Sequence, residues 1–170
     1  MKRCITIGIL IIICFLCQST IFHFIELAGV VPNLLLILTM SFGLMRGRKE
    51  GLLVGFFSGL LVDIFFGSVL GPYAFIYMSL GYVNGFFHRI YYVEDVLLPM
   101  IMICLNDFIF NVIVYLIYFL LRNRLNFGEY LINVIFPEML YTIIVTLFFY
   151  KLLVRINLRL KKSKEVEVHD

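Results

Sequence analysis

Apolar residues run through this chain in stretches broken only by short polar segments. Crossing a hydrocarbon core takes roughly 20 apolar helical residues. On that scale the sequence divides into six segments, 4–22, 30–45, 51–66, 69–87, 96–121 and 130–154. Polar breaks fall at 23–29, 46–50, 88–95 and 122–129, and the break at 67–68 is so tight that segments three and four are expected to form a hairpin. Segments two and three are short, so they are expected to tilt little, thin the bilayer or enter it only partly. Pro32 stands near the first turn of segment two, where a missing N–H is harmless, and Pro137 falls inside segment six.

Composition removes the soluble alternative. The chain has 170 residues, of which 62% are hydrophobic and 15% charged, and its mean hydropathy is +1.02. So few charged residues cannot cover a soluble core of this size. The expected fold is an all-α polytopic membrane protein, with about six transmembrane helices in one compact bundle over residues 1–160 and a charged cytoplasmic tail at 161–170. The start, Met1-Lys2-Arg3 before an apolar run, looks like a signal peptide. No small-x-small cleavage site follows, and Leu16 before Cys17 is a poor lipobox, so a retained first helix is expected.

Charge orients the bundle. An even number of spans puts both termini on one side, and of the 14 Lys and Arg only Arg122 and Arg124 fall on the other. Under the positive-inside rule both termini are cytoplasmic. The basic tail then reads as a topology anchor that also touches anionic lipid, or as a docking site for a cytoplasmic protein.

Gly51, Gly55 and Gly59 recur every four residues, with Asp63 next in the same register and Gly67 and Gly71 beyond it. Such spacing makes a smooth helical face that another helix can approach closely, which drives association where lipid removes the hydrophobic effect. The face serves either internal packing or partner binding. Asp63, inside Leu60-Leu61-Val62-Asp63-Ile64-Phe65-Phe66, must find donors. It is read as capping the turn into segment four, with donors near Ser68 to Gly71, or as binding a partner or small ligand. Segment five carries Asn106, Asp107 and Asn111, and segment six carries Asn133 and Glu138. With no Lys or Arg at their depth, Asp107 and Glu138 are expected to pair by hydrogen bonds between these helices, or to line a solvated cavity.

Catalysis finds no support. His23, His88 and His169 sit at predicted ends or in the tail, and HExxH, GxSxG and GxGD patterns are missing. Cys4, Cys14, Cys17 and Cys104 lie in apolar runs, so Cys14-x-x-Cys17 reads as packing rather than redox chemistry. No enzyme, catalytic residue, cofactor, metal or nucleic-acid partner is expected.

Pro32-Asn33-Leu34-Leu35-Leu36, Arg46-Gly47, Glu50-Gly51, Gly55-Phe56, Gly59-Leu60-Leu61-Val62-Asp63, Gly67, Leu70-Gly71 and Gly81-Tyr82 resemble the rod shape-determining protein MreD family. Size, hydropathy and basic tail agree over the whole chain, while the specific motif covers about Pro32 to Gly85. Asn33 departs from the acidic residue expected after the proline. The resemblance implies a non-enzymatic subunit of the bacterial cell-elongation machinery in the cytoplasmic membrane. It also implies a bitopic MreC-like partner, bound through helix packing, that links the subunit to MreB filaments and wall-synthesis enzymes. Six-span substrate-binding subunits of vitamin or small-molecule uptake transporters share length and hydropathy, and stand as the alternative.

Overall fold

The computed structural model describes residues 2–26, 29–67, 69–91, 97–118 and 127–169, with side chains described at all of these except 2, 3, 23, 118 and 159–169. Six long helices make up the described chain. These are α1 (Lys2–Leu16), α2 (Leu34–Arg46), α3 (Arg48–Phe66), α4 (Pro72–Asn84), α5 (Leu97–Tyr118) and α6 (Phe136–His169). α1 continues through a π turn, Cys17–Ile21, and α4 through a 3₁₀ turn, Gly85–Ile90. A helical turn, Phe127–Tyr130, and a second π turn, Leu131–Ile135, lead into α6. Pro137 accounts for the second of these, because its missing N–H removes a helical bond and the Phe136 N–H reaches back to the Leu131 carbonyl instead. Ser68, Arg122, Arg124, Asn126 and Asp170, and the side chains of Lys2, Arg3, His23, Arg159, Lys161, Lys162, Lys164 and His169, lie outside what is described.

The outer helices invert the soluble pattern. Ile5, Ile12, Phe57, Phe65 and Phe148 are all more than half exposed, as suits side chains whose solvent is lipid. α1 with its π turn (Cys4–Ile21), α5 (Leu97–Ile117) and α6 with the turns before it (Phe127–Leu158) are long and apolar enough to cross a bilayer.

α2 is different. Its 13 residues span only about 20 Å, and every residue from Leu34 to Leu44 is buried, the side chains being at most 2% exposed. The other five long helices surround it. A helix that is apolar on all sides belongs in the middle of a bundle, and here protein rather than bilayer sets its length. The segment therefore starts later than the apolar run suggests, because Asn33 is its N-cap and Pro32 lies before it rather than in its first turn. At its other end Gly47, at φ +92°, joins α2 to α3 in a single residue. α3 consequently begins at Arg48, inside the break expected at 46–50.

Candidate functional site

The glycine register on α3 meets α4 running the other way. Gly51 lies against the Gly81 carbonyl, and Gly55 against that of Tyr77. A methyl on Gly59 would stand 2.6 Å from the Ala74 Cα, far inside van der Waals contact. The glycine face is thus filled from within the chain, backbone against backbone, by the hairpin partner that the tight break anticipates. Gly67 and Gly71 have other work. Gly67 ends α3, donating to the Val62 and Asp63 carbonyls at 3.1 Å each. Gly71 caps α4 at φ +118°, and nothing stands within 4 Å of where its side chain would be.

Asp63 completes that cap. Gly71 has no side chain to offer the first turn of α4, so Asp63 supplies it from the preceding helix. Its Oδ1 accepts from the Tyr73 N–H at 3.1 Å and its Oδ2 from the Ala74 N–H at 2.7 Å. Asp63 is 1% exposed, and these donors lie past Gly71 rather than in the Ser68 to Gly71 stretch. Pro72 at the first helical position has no N–H to satisfy.

α2 is capped from two sides. Asn33 Oδ1 accepts from the Leu36 N–H at 3.1 Å and from the Tyr77 hydroxyl at 2.6 Å. Gln18 Oε1, in the π turn that extends α1, accepts from the Leu35 N–H at 3.2 Å. The Thr142 hydroxyl takes the Asn33 N–H at 3.4 Å, so α6 also joins here.

These groups edge a cavity of about 390 Å³. Gln18, Ser19, Asn33, Asn111 and Glu138 are its polar wall, with Tyr73, Tyr77 and Tyr130 among its aromatic one. No lining residue is Lys, Arg or His. Asp107 lies behind, fully buried and one helical turn from Asn111, whose amide donates to the Asp107 carbonyl at 3.1 Å.

Of the polar residues expected to join segments five and six, only part does so. No hydrogen bond joins Asp107 to Glu138, so the direct pairing expected from the sequence is not made. Asn111 faces Glu138 instead, and the Thr142 side chain acts on Asp107. Asn106 pairs with α4, exchanging amide bonds of 2.9 and 3.1 Å with Asn84. Asn133 is exposed in the second π turn. Gln18, Tyr77, Asn84 and Thr142 escaped the sequence reading. A polar residue at the same depth on a neighbouring segment was the available signal.

The opposite end of the bundle is basic. The Arg46 guanidinium binds the Asn157 side chain and lies 3.7 Å from Glu50. Arg48 stacks over the Phe86 ring at 4.5 Å, and His88 Nδ1 is 2.7 Å from the Leu44 carbonyl oxygen. Cys4, Cys14, Cys17 and Cys104 are free thiols. Among the described residues no His, Cys, Asp or Glu cluster has metal-binding geometry.

A family model described as rod shape-determining protein MreD matches residues 1–160. No curated protein and no solved structure matches the chain. With nearly its whole length matched, the chain belongs to the MreD family of rod shape-determining membrane proteins, part of the machinery of bacterial cell elongation.

Proposed function

We propose that this chain is a non-enzymatic scaffold of the elongation machinery, crossing the cytoplasmic membrane six times with both termini inside the cell. The family match over residues 1–160 carries the reading. Arg46, Arg48 and His88 gather at one end of the bundle, around the α2–α3 turn, in keeping with a cytoplasmic basic face. Six crossings require α2, α3 and α4 to cross beside the three long spans; α2 can be short because it meets protein on every side, and α3 and α4 with its 3₁₀ turn, Arg48–Phe66 and Pro72–Ile90, supply the remaining two. Residues 1–160 form the membrane domain and 161–170 its cytoplasmic tail.

A partner helix needs a face that α4 leaves open. Between α1 and α3 runs a groove of about 670 Å³, lined by Ile7, Gly8, Ile12, Leu53, Phe57 and Leu60 among others. Nothing stands within 4 Å of a side chain placed at Gly8, so another helix can approach the backbone there. We assign this groove to the transmembrane helix of an MreC-like bitopic protein, which in turn connects to MreB filaments and wall-synthesis enzymes. The test is co-purification with that partner from membranes. Gly8→Trp and Ile12→Trp should reduce recovery about tenfold at normal abundance, while Phe148→Trp on α6 should not. Undiminished recovery with both groove variants would refute the assignment.

The cavity favours a second reading, a substrate-binding subunit of a small-molecule uptake transporter. Uptake of a labelled substrate that depends on this chain would support it over the scaffold.

A further inference from the structure

The cavity at the α2 N-terminus has a chemistry of its own. Six aromatic rings face it, those of Phe15, Phe66, Tyr73, Tyr77, Phe110 and Tyr130. Glu138 adds a carboxyl to the wall, and Asp107 stands fully buried behind Asn111. Glu138 and Asp107 interact electrostatically, and no Lys, Arg or His lines the space. A carboxyl pair of which one member is fully buried calls for a counter-charge or a proton. Ring faces attract cations, most strongly where water is excluded, and aromatic walls with a carboxylate are the surroundings that bind ammonium groups. Side-chain oxygens of Asn33 and Gln18 already hold backbone or hydroxyl donors and the Ser19 hydroxyl donates to the Leu16 carbonyl, which leaves the rings and Glu138, with Asn111 beside it, to face an occupant.

We propose that this cavity binds an organic ammonium group, with Glu138 as its counter-ion, Asp107 reinforcing the negative field and the aromatic rings as its cage. The group belongs either to a free small amine or to a lysine side chain of a partner. The inference does not rest on the groove between α1 and α3, and a failure of either leaves the other standing.

The experiment uses the full chain in nanodiscs, with the native cysteines replaced and Ser19→Cys as a reporter in the cavity wall. Choline is the probe, and 3,3-dimethyl-1-butanol is its uncharged counterpart of nearly the same shape. Choline should slow maleimide alkylation of the reporter at least fivefold and saturably, and the alcohol should not. Glu138→Gln in the same background should remove the protection, and Asp107→Asn should weaken it. Co-reconstitution with the MreC-like partner separates the sources. If a partner lysine fills the cavity, alkylation in the complex is already slow and choline adds nothing. If the ligand is a free amine, choline protects the complex as it does the chain alone. No protection of the chain alone, or equal protection by choline and the alcohol, would overturn the proposal without reference to either variant.

Discussion

Gly51 on α3 and Gly81 on α4 each occupy the space that the other's side chain would need. A methyl on Gly51 would meet the Gly81 carbonyl, and one on Gly81 would stand 2.8 Å from both the Gly51 carbonyl carbon and Thr39 Cγ2. The same antiparallel register brings Gly55 to Tyr77 and Gly59 to Ala74. Backbone on both sides leaves nothing flexible to yield.

The first prediction follows from that contact. Gly55→Leu should destabilise the protein by about 3 kcal/mol or more, because overpacking a rigid contact forces the helices apart. Gly8→Ala, with open space beyond it, should stay within about 0.5 kcal/mol of wild type. Thermal unfolding of the detergent-solubilised chain measures both. A Gly55→Leu protein that melts like Gly8→Ala would mean that α3 and α4 do not pack as described.

Asp63 supports a graded prediction. Its two oxygens serve two separate N–H groups, so Asp63→Asn keeps one acceptor and turns a donor toward the other. That should cost about 1–3 kcal/mol, because one buried N–H loses its acceptor. Asp63→Leu strips both and leaves buried donors unpaired, at about 1–3 kcal/mol each. Unfolding should therefore rank wild type, Asn, Leu, and rescue of rod shape in a depleted strain should follow the same order. Equal loss of rescue by Asn and Leu at normal membrane abundance would point to a role for the charge beyond capping.

Which features were legible in the sequence depended on how local they were. The hairpin was, because the break at 67–68 is too short for anything but a tight turn, while the four-residue spacing placed Gly51, Gly55 and Gly59 on one face without saying what covers it. The central place of α2 was not, since a Leu-rich run reads alike whether lipid or protein surrounds it. Asn106 pairs with Asn84 rather than with segment six, a choice made by helix azimuth, which hydropathy does not encode. The cavity was least accessible, since its wall draws on five of the long helices, the α2 N-cap, the first π turn and the turn Phe127–Tyr130.

Topology can be probed without disturbing the core. A cysteine at Asn126, in a cysteine-free background, should react with a membrane-impermeant maleimide in intact cells. A cysteine at Arg155 should react only after permeabilisation. Labelling in the reverse order would invert the bundle, and labelling of both in intact cells would remove one crossing.

The last prediction concerns Asn33, which stands where an acidic residue was expected from the family resemblance. Its Oδ1 takes two donors at once, the Leu36 N–H that caps α2 and the Tyr77 hydroxyl from α4. A carboxylate could accept both and would suit a helix N-terminus, where the macrodipole favours negative charge. Against it stands the cost of burying that charge in a residue only 4% exposed, near a carboxyl pair that has no cation. Either side chain keeps the cap, and the charge–dipole term is worth only about 1 kcal/mol, less than the cost of burying an unpaired charge. Asn33→Asp should therefore melt below wild type. Asn33→Leu loses both bonds and should cost about 2–4 kcal/mol, counting the lost cap and the unpaired Tyr77 hydroxyl. Tyr77→Phe removes only the second and should cost about 1 kcal/mol. If Tyr77→Phe and Asn33→Leu act through the same bond, the double variant should be no worse than Asn33→Leu alone. Full additivity of the two would show that the hydroxyl does not reach Asn33.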